Sequence, residues 1–181
     1  KILPYLKEKN IEEIYRQAKL DKTSVLRALT YLENKKILTL SHSRKKIIEI
    51  GINGALYRKK ALPERRLLNL LNEKRILKLE DAQKQSSLSD DEFKASIGVL
   101  KKRALIEIKN EKIILTGRGD EISKKSPEEL FIESLPLAYN SLTAEQIHAL
   151  KALEKRKNII QIKEERIINI HITPLGEELI R

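Results

Sequence analysis

The chain has 181 residues, 40% of them apolar and 4% aromatic, and a net charge of +11. That length holds one ordinary domain or two to three small ones with Leu/Ile-built cores. With no cysteine, disulfides and thiolate metal sites are excluded. No apolar run reaches the roughly 18 residues of a membrane-spanning helix.

Lys1-Ile2-Leu3-Pro4 lacks the apolar stretch of a signal peptide. Ile2 to Lys9 reads as a short helix with Pro4 in its first turn. Ile11, Ile14, Tyr15 and Ala18 fall at helical spacing in a second helix. Asp21 N-caps a third, running to about Lys35, with Val25, Ala28, Leu29 and Leu32 inward. Ile37–Leu40 and Lys46–Ile50 read as hairpin strands, with His42-Ser43-Arg44-Lys45 at the tip. Gly51-Ile52-Asn53-Gly54 then turns the chain, with Asn53 capping the next helix.

The pattern recurs. Pro63 opens a helix carrying Leu67, Leu68 and Leu71, and Leu79 to Gln85 is a weak second helix. Ser89-Asp90-Asp91-Glu92 is a capping box before Phe93, Ile97 and Leu100. Strands at Leu105–Ile108 and Lys112–Thr116 lead to Thr116-Gly117-Arg118-Gly119. Two more boxes, at Ser126/Glu129 and Thr143/Gln146, open the helices of a third copy. Its strands are Ile159–Lys163 and Arg166–Ile172, and its turn is Thr173-Pro174-Leu175-Gly176. Leu135–Ser141, with Pro136, leaves little room there for a second helix. A helix–turn–helix followed by a hairpin is a winged helix. The expected class is therefore α+β, mainly α with small antiparallel β wings. It has three tandem winged-helix units at 1–62, 63–125 and 126–181. Repeats of this length favour binding architectures.

The charge is uneven. Residues 1–72 hold 17 Lys/Arg against 7 Asp/Glu, residues 73–125 hold 13 against 10, and residues 126–181 hold 7 against 9. A concentrated basic field points to nucleic acid. The candidate contacts are Arg27 and Tyr31 on the third helix and Arg44, Lys45 and Lys46 on the wing. Arg58, Lys59, Lys60, Arg65 and Arg66 follow at the junction of the first two units. Tyr31 has three readings: stacking on an unpaired base, packing on a protein, or filling a core edge. The junction cations have two, phosphate contact or a solvated helix face. Lys101-Lys102-Arg103 and Lys155-Arg156-Lys157 end their helices, where cations complement the helix dipole.

No catalytic or metal residues are assigned. His42, His148 and His171 are far apart in sequence, and no Gly-rich phosphate loop occurs.

The run Ala61-Leu62-Pro63-Glu64-Arg65-Arg66-Leu67-Leu68 resembles a Gly-Leu-Pro-Glu-Arg-Arg-Leu-Leu run, with Ala61 in place of the Gly. That run belongs to the N-terminal extension of the archaeal and eukaryotic type of phenylalanyl-tRNA synthetase alpha subunit. Val25-Leu26-Arg27-Ala28-Leu29-x-x-Leu32 is similar to that family's third helix, and Leu150-Lys151 through Ile160 to its run before the catalytic part. The resemblance implies a tRNA-binding part of a ligase that charges tRNA with phenylalanine. It also implies ATP and Mg²⁺ in the full-length enzyme, a beta subunit in an α₂β₂ tetramer, and a cytoplasmic location. No Phe-Arg-x-Glu segment accompanies Phe93 or Phe131, so a fragment that binds tRNA without charging it is expected. Two other classes stand beside it, a tandem winged-helix DNA-binding regulator and a protein-interaction scaffold.

Overall fold

The computed structural model describes residues 1–8 and 10–181; Lys9, the last residue of the expected first helix, lies outside them. In chain order, a 3-10 turn at Leu3–Glu8 precedes α1 (Ile11–Ala18), α2 (Lys22–Asn34), β1 (Leu38–Ile50) and α3 (Ile52–Lys60). Then come α4 (Pro63–Lys74), β2 (Ile76–Lys78), α5 (Leu79–Ser86), α6 (Asp90–Lys102), β3 (Ile106–Lys109), β4 (Lys112–Leu115) and α7 (Gly119–Ser123). The last stretch holds α8 (Pro127–Ser134), β5 (Leu137–Ala138), a 3-10 turn at Tyr139–Ser141, α9 (Ala144–Glu154), β6 (Ile160–Ile172) and α10 (Pro174–Ile180). The fold is α+β, with two three-stranded sheets ordered β5-β1-β6 and β2-β4-β3.

Caps set the helix starts as the sequence predicts. Asp21 accepts from Ser24 N–H, and the boxes at Ser89/Glu92, Ser126/Glu129 and Thr143/Gln146 close from both sides. Asn53 differs: Gly51 holds the N-cap position, and the Asn53 amide donates to Lys157 O at 2.8 Å.

Two compact units form, Lys1–Lys46 with Glu164–Arg181, and Ile47–Lys163. In the first, Ile14, Val25, Leu29 and Leu32 close a core with Ile2, Leu6, Leu38 and Ile170. The second has two cores. One packs Leu67, Leu68 and Leu71 against Phe93, Leu100 and Ile113. The other packs Ile48 and Ile159 against Phe131, Ile132, Leu150 and Leu153.

The expected wings at the two ends of the chain are not hairpins. β1 and β6 are each one continuous strand of 13 residues, and they neighbour each other in the sheet. The reason is turn chemistry. Asn110 and Glu111 adopt positive φ of 50° and 60°, which joins β3 to β4 by a tight two-residue turn. Neither Ser41–Lys46 nor Lys163–Arg166 offers a Gly, Asn or Pro to reverse a strand.

The three turn motifs nevertheless dock alike. α2, α6 and α9 are each followed by a left-handed residue, Lys36, Ala104 and Asn158, with φ of 59°, 57° and 56°. The apolar residue after it accepts from a turn. Thr116 and Gly117 N–H donate to Leu105 O at 2.9 and 3.0 Å, within one hairpin motif. In the first unit Thr173 N–H donates to Ile37 O at 3.0 Å; in the second Gly51 N–H donates to Ile159 O at 2.8 Å. The turn after β6 thus closes on α2, and the turn after β1 closes on α9.

Candidate nucleic-acid interface

The ten predicted contact residues fall into two groups, one in each unit. In the first unit, α2 places Arg27 and Tyr31 four residues apart, hence on one face. Tyr31 is 61% exposed, which removes the core-edge reading. Lys35 Nζ lies 5.7 Å from its ring centroid, within cation–π range. Arg27, Tyr31 and Lys35 therefore form a cationic and aromatic stripe. Lys35 stands outside the ten sequence candidates, although its four-residue spacing from Tyr31 marks it.

Arg44, Lys45 and Lys46 lie mid-strand in β1 rather than at a wing tip. Strand alternation puts Arg44 and Lys46 on one face and Lys45 on the other. Arg44 reaches Glu164 of β6 at 3.9 Å, and both stay exposed, so this pair contributes little to stability. β6 thus brings acid beside the basic strand. The first unit holds 14 Lys/Arg against 9 Asp/Glu, and the second 23 against 17. The steep gradient along the chain is softened in the folded units.

In the second unit, Arg58, Lys59, Lys60 and Arg65 line one cleft of about 610 Å³, with Asn69, Asn72 and Lys125. Their roles diverge. Arg58 donates to Ile132 O at 2.5 Å and Leu135 O at 3.1 Å, tying the end of α3 to the end of α8. Arg65 holds Glu129 with donors at 2.8 to 3.2 Å and also bonds Ile122 O and Lys124 O. Both partners of that pair are mostly buried. Arg66 donates to Ser86 O and Ser87 O, where α5 ends. These three arginines bond carbonyls and a carboxylate of the fold itself. Lys59 and Lys60 are exposed and, among the described residues, make no ion pair. They are the cleft's available cations.

No protein-family model matches the chain, and no solved structure matches it. Sequence comparison does find relatives. The phenylalanine–tRNA ligase alpha subunit of Pyrococcus horikoshii is 32% identical over 177 residues, 96% of this chain and 35% of that protein. This chain is homologous to phenylalanine–tRNA ligase alpha subunits. The Thermococcus gammatolerans ligase subunit is 31% identical over 96% of the chain, and that of Methanopyrus kandleri 24% identical over 93%. The chain spans about a third of the length of the ligase subunits it matches, 35% and 34% in these two. The run that carried the resemblance, Leu62 to Leu68, forms the start of α4. Its Pro63, Glu64, Leu67 and Leu68 are buried, so this part of the run serves packing.

Proposed function

We propose that this chain is the tRNA-contacting N-terminal region of a phenylalanine–tRNA ligase alpha subunit. The similarity to ligase subunits over 96% of the chain carries the reading. Contact would run through exposed cations, Arg27 and Lys45 in the first unit and Lys59 and Lys60 in the second. Binding by phosphate and shape suits RNA, whose major groove side chains cannot read. In the full-length protein the partners would be tRNA and a beta subunit in an α₂β₂ tetramer in the cytoplasm. Among the described residues, no helix is long and apolar enough to cross a membrane.

In this reading the ATP and Mg²⁺ of the charging reaction belong to the full-length enzyme. Among the described residues, no three His, Asp or Glu side chains converge as metal ligands. Charging would be the work of other parts of the enzyme.

A filter-binding competition between tRNA and duplex DNA at moderate salt tests the reading. Tighter binding to tRNA is expected. Equal or tighter binding to a palindromic DNA duplex would favour the transcriptional-regulator alternative and overturn the tRNA assignment.

A further inference from the structure

A cleft of about 670 Å³ opens inside the first unit, lined by α1, α2, β1 and β6, and none of the ten predicted contact residues lines it. We propose that it takes an unpaired nucleobase of a bound RNA, one carrying an exocyclic amine. The proposal rests on the tRNA reading and assigns one part of that RNA a place.

The volume lies within the roughly 300–1,000 Å³ typical of small-ligand pockets. Ile11 and Leu26 offer apolar surface for a base plane, and splayed-out bases are what sequence-specific RNA binding uses. The polar groups are those of a base-edge reader. Tyr15 lines the cleft, and its hydroxyl is buried with no hydrogen-bond partner. Such a group calls for a physical account, and a base edge supplies the partner once the ring turns its hydroxyl into the cleft. Burial, with the Glu12 carboxylate nearby, pushes the hydroxyl's pKa up, so it remains a donor. Asn10 Oδ1 accepts from Glu12 N–H at 3.0 Å, which leaves its amide N–H groups available. The Asn169 amide nitrogen faces Ser43 Oγ at 3.4 Å, which leaves its oxygen as an acceptor.

The lining carries both signs of charge, two carboxylates and two cations. Glu12 and Glu165 both line the cleft. The two carboxylates can accept from an amine on a base edge. Lys22 and Arg166, on the same lining, can hold the flanking phosphates.

The test uses the 181-residue chain and an RNA hairpin with 2-aminopurine in an unpaired loop. The comparisons are a fully paired RNA duplex with the same number of phosphates and free 2-aminopurine riboside. The loop probe should bind more tightly than the duplex, with altered fluorescence. Tyr15→Phe should weaken loop binding by about three- to tenfold, the loss of one hydrogen bond. It should leave duplex binding and the melting temperature undiminished, because it removes an unpaired hydroxyl and keeps the ring. Leu26→Ala should also weaken loop binding more than duplex binding. If tRNA binds but Tyr15→Phe and Leu26→Ala both match wild type on the loop probe, the base site is wrong and the tRNA reading stands. Failure of every RNA to bind overturns both. Free riboside binding as tightly as the loop would make the cleft a small-molecule site and overturn the RNA assignment.

Discussion

Arg156 closes on Glu64 with two parallel hydrogen bonds, 2.9 Å from Nη1 to Oε1 and 3.1 Å from Nη2 to Oε2. Glu64 is only 2% exposed and sits in the first turn of α4, where the helix dipole also favours a carboxylate. Arg156 follows α9, so one ion pair fastens α4 to the end of α9 within the second unit. The cation that the sequence reading left at a helix end, answering only a dipole, answers a buried charge.

Arg156→Ala should therefore destabilise the second unit by about 3–5 kcal/mol, because it strands a buried carboxylate. Arg156→Lys should recover only part of this, since an ammonium cannot match the bidentate fork. Chemical denaturation of the three proteins measures the order. A loss in Arg156→Ala no larger than in Lys155→Ala would show that the pair is worth little.

The glycines of the turn motifs look alike in sequence and are not alike in space. A Cβ at Gly54 would lie 2.1 Å from Ile159 O, and at Gly176 2.0 Å from Ile37 O. A Cβ at Gly119 would meet nothing within 4 Å, and no glycine has positive φ. Gly54→Ala and Gly176→Ala should each cost several kcal/mol. Gly119→Ala should be neutral or stabilise by up to about 1 kcal/mol through the unfolded chain. Thermal melts rank the three, and a Gly119→Ala loss comparable to the other two would contradict the docking described for the turns.

One source of pH dependence is the pair of Tyr57 and Glu92. Tyr57 hydroxyl donates to Glu92 Oε2 at 3.0 Å. Burial pushes Glu92 up, but hydrogen bonds from the Ser89 backbone, the Tyr57 hydroxyl and the Ser89 side chain outweigh it and hold it below its ordinary 4.5. Burial, then the bond to Glu92, raises Tyr57 above its ordinary 10.0. A depressed carboxylate adds stability above its unfolded pKa that is lost as pH falls through its folded one. A raised phenol holds its contribution below its unfolded pKa and loses it as pH rises toward its folded one. Tyr57→Phe should cost about 1 kcal/mol at neutral pH. That cost should shrink below pH of about 4, where the unfolded carboxyl protonates. Denaturation curves at acid and neutral pH give the comparison, and a cost that does not change with pH would remove Glu92 as its source.

Much of this was legible in the sequence for local reasons. Ser89/Glu92 and Thr143/Gln146 announce their helices because a cap involves residues three apart. The three turns stand out because backbone meets backbone there. What local reading could not supply was the partner of each strand. His42-Ser43-Arg44-Lys45 sits where a wing tip belongs in a repeat, yet nothing in those residues reverses a strand, and β1 runs on to Ile50. The internal bonds of Arg58, Arg65 and Arg66 were hidden for a similar reason. A cationic run looks the same whether its donors face solvent or the carbonyls of Ile132, Leu135, Ser86 and Ser87, more than fifteen positions away in sequence.

The proposed phosphate contacts separate by the same distinction. Lys45, Lys59 and Lys60 are exposed and, among the described residues, make no ion pair, whereas Arg65 is committed to Glu129 and two carbonyls. Replacing the three lysines by alanine should leave the melting temperature nearly unchanged. If all three meet phosphates, the plot of log K against log salt for tRNA should flatten by up to about 2–3 units, at roughly 0.9 per contact on paired nucleic acid. Arg65→Ala should instead lower stability, with any loss of affinity following the loss of fold. The control pair is Lys155→Ala with Lys157→Ala, which leaves Arg156 on Glu64; its slope should stay near wild type. A larger flattening in the control pair than in the triple would move the contact surface from the cleft and β1 to the turn between α9 and β6.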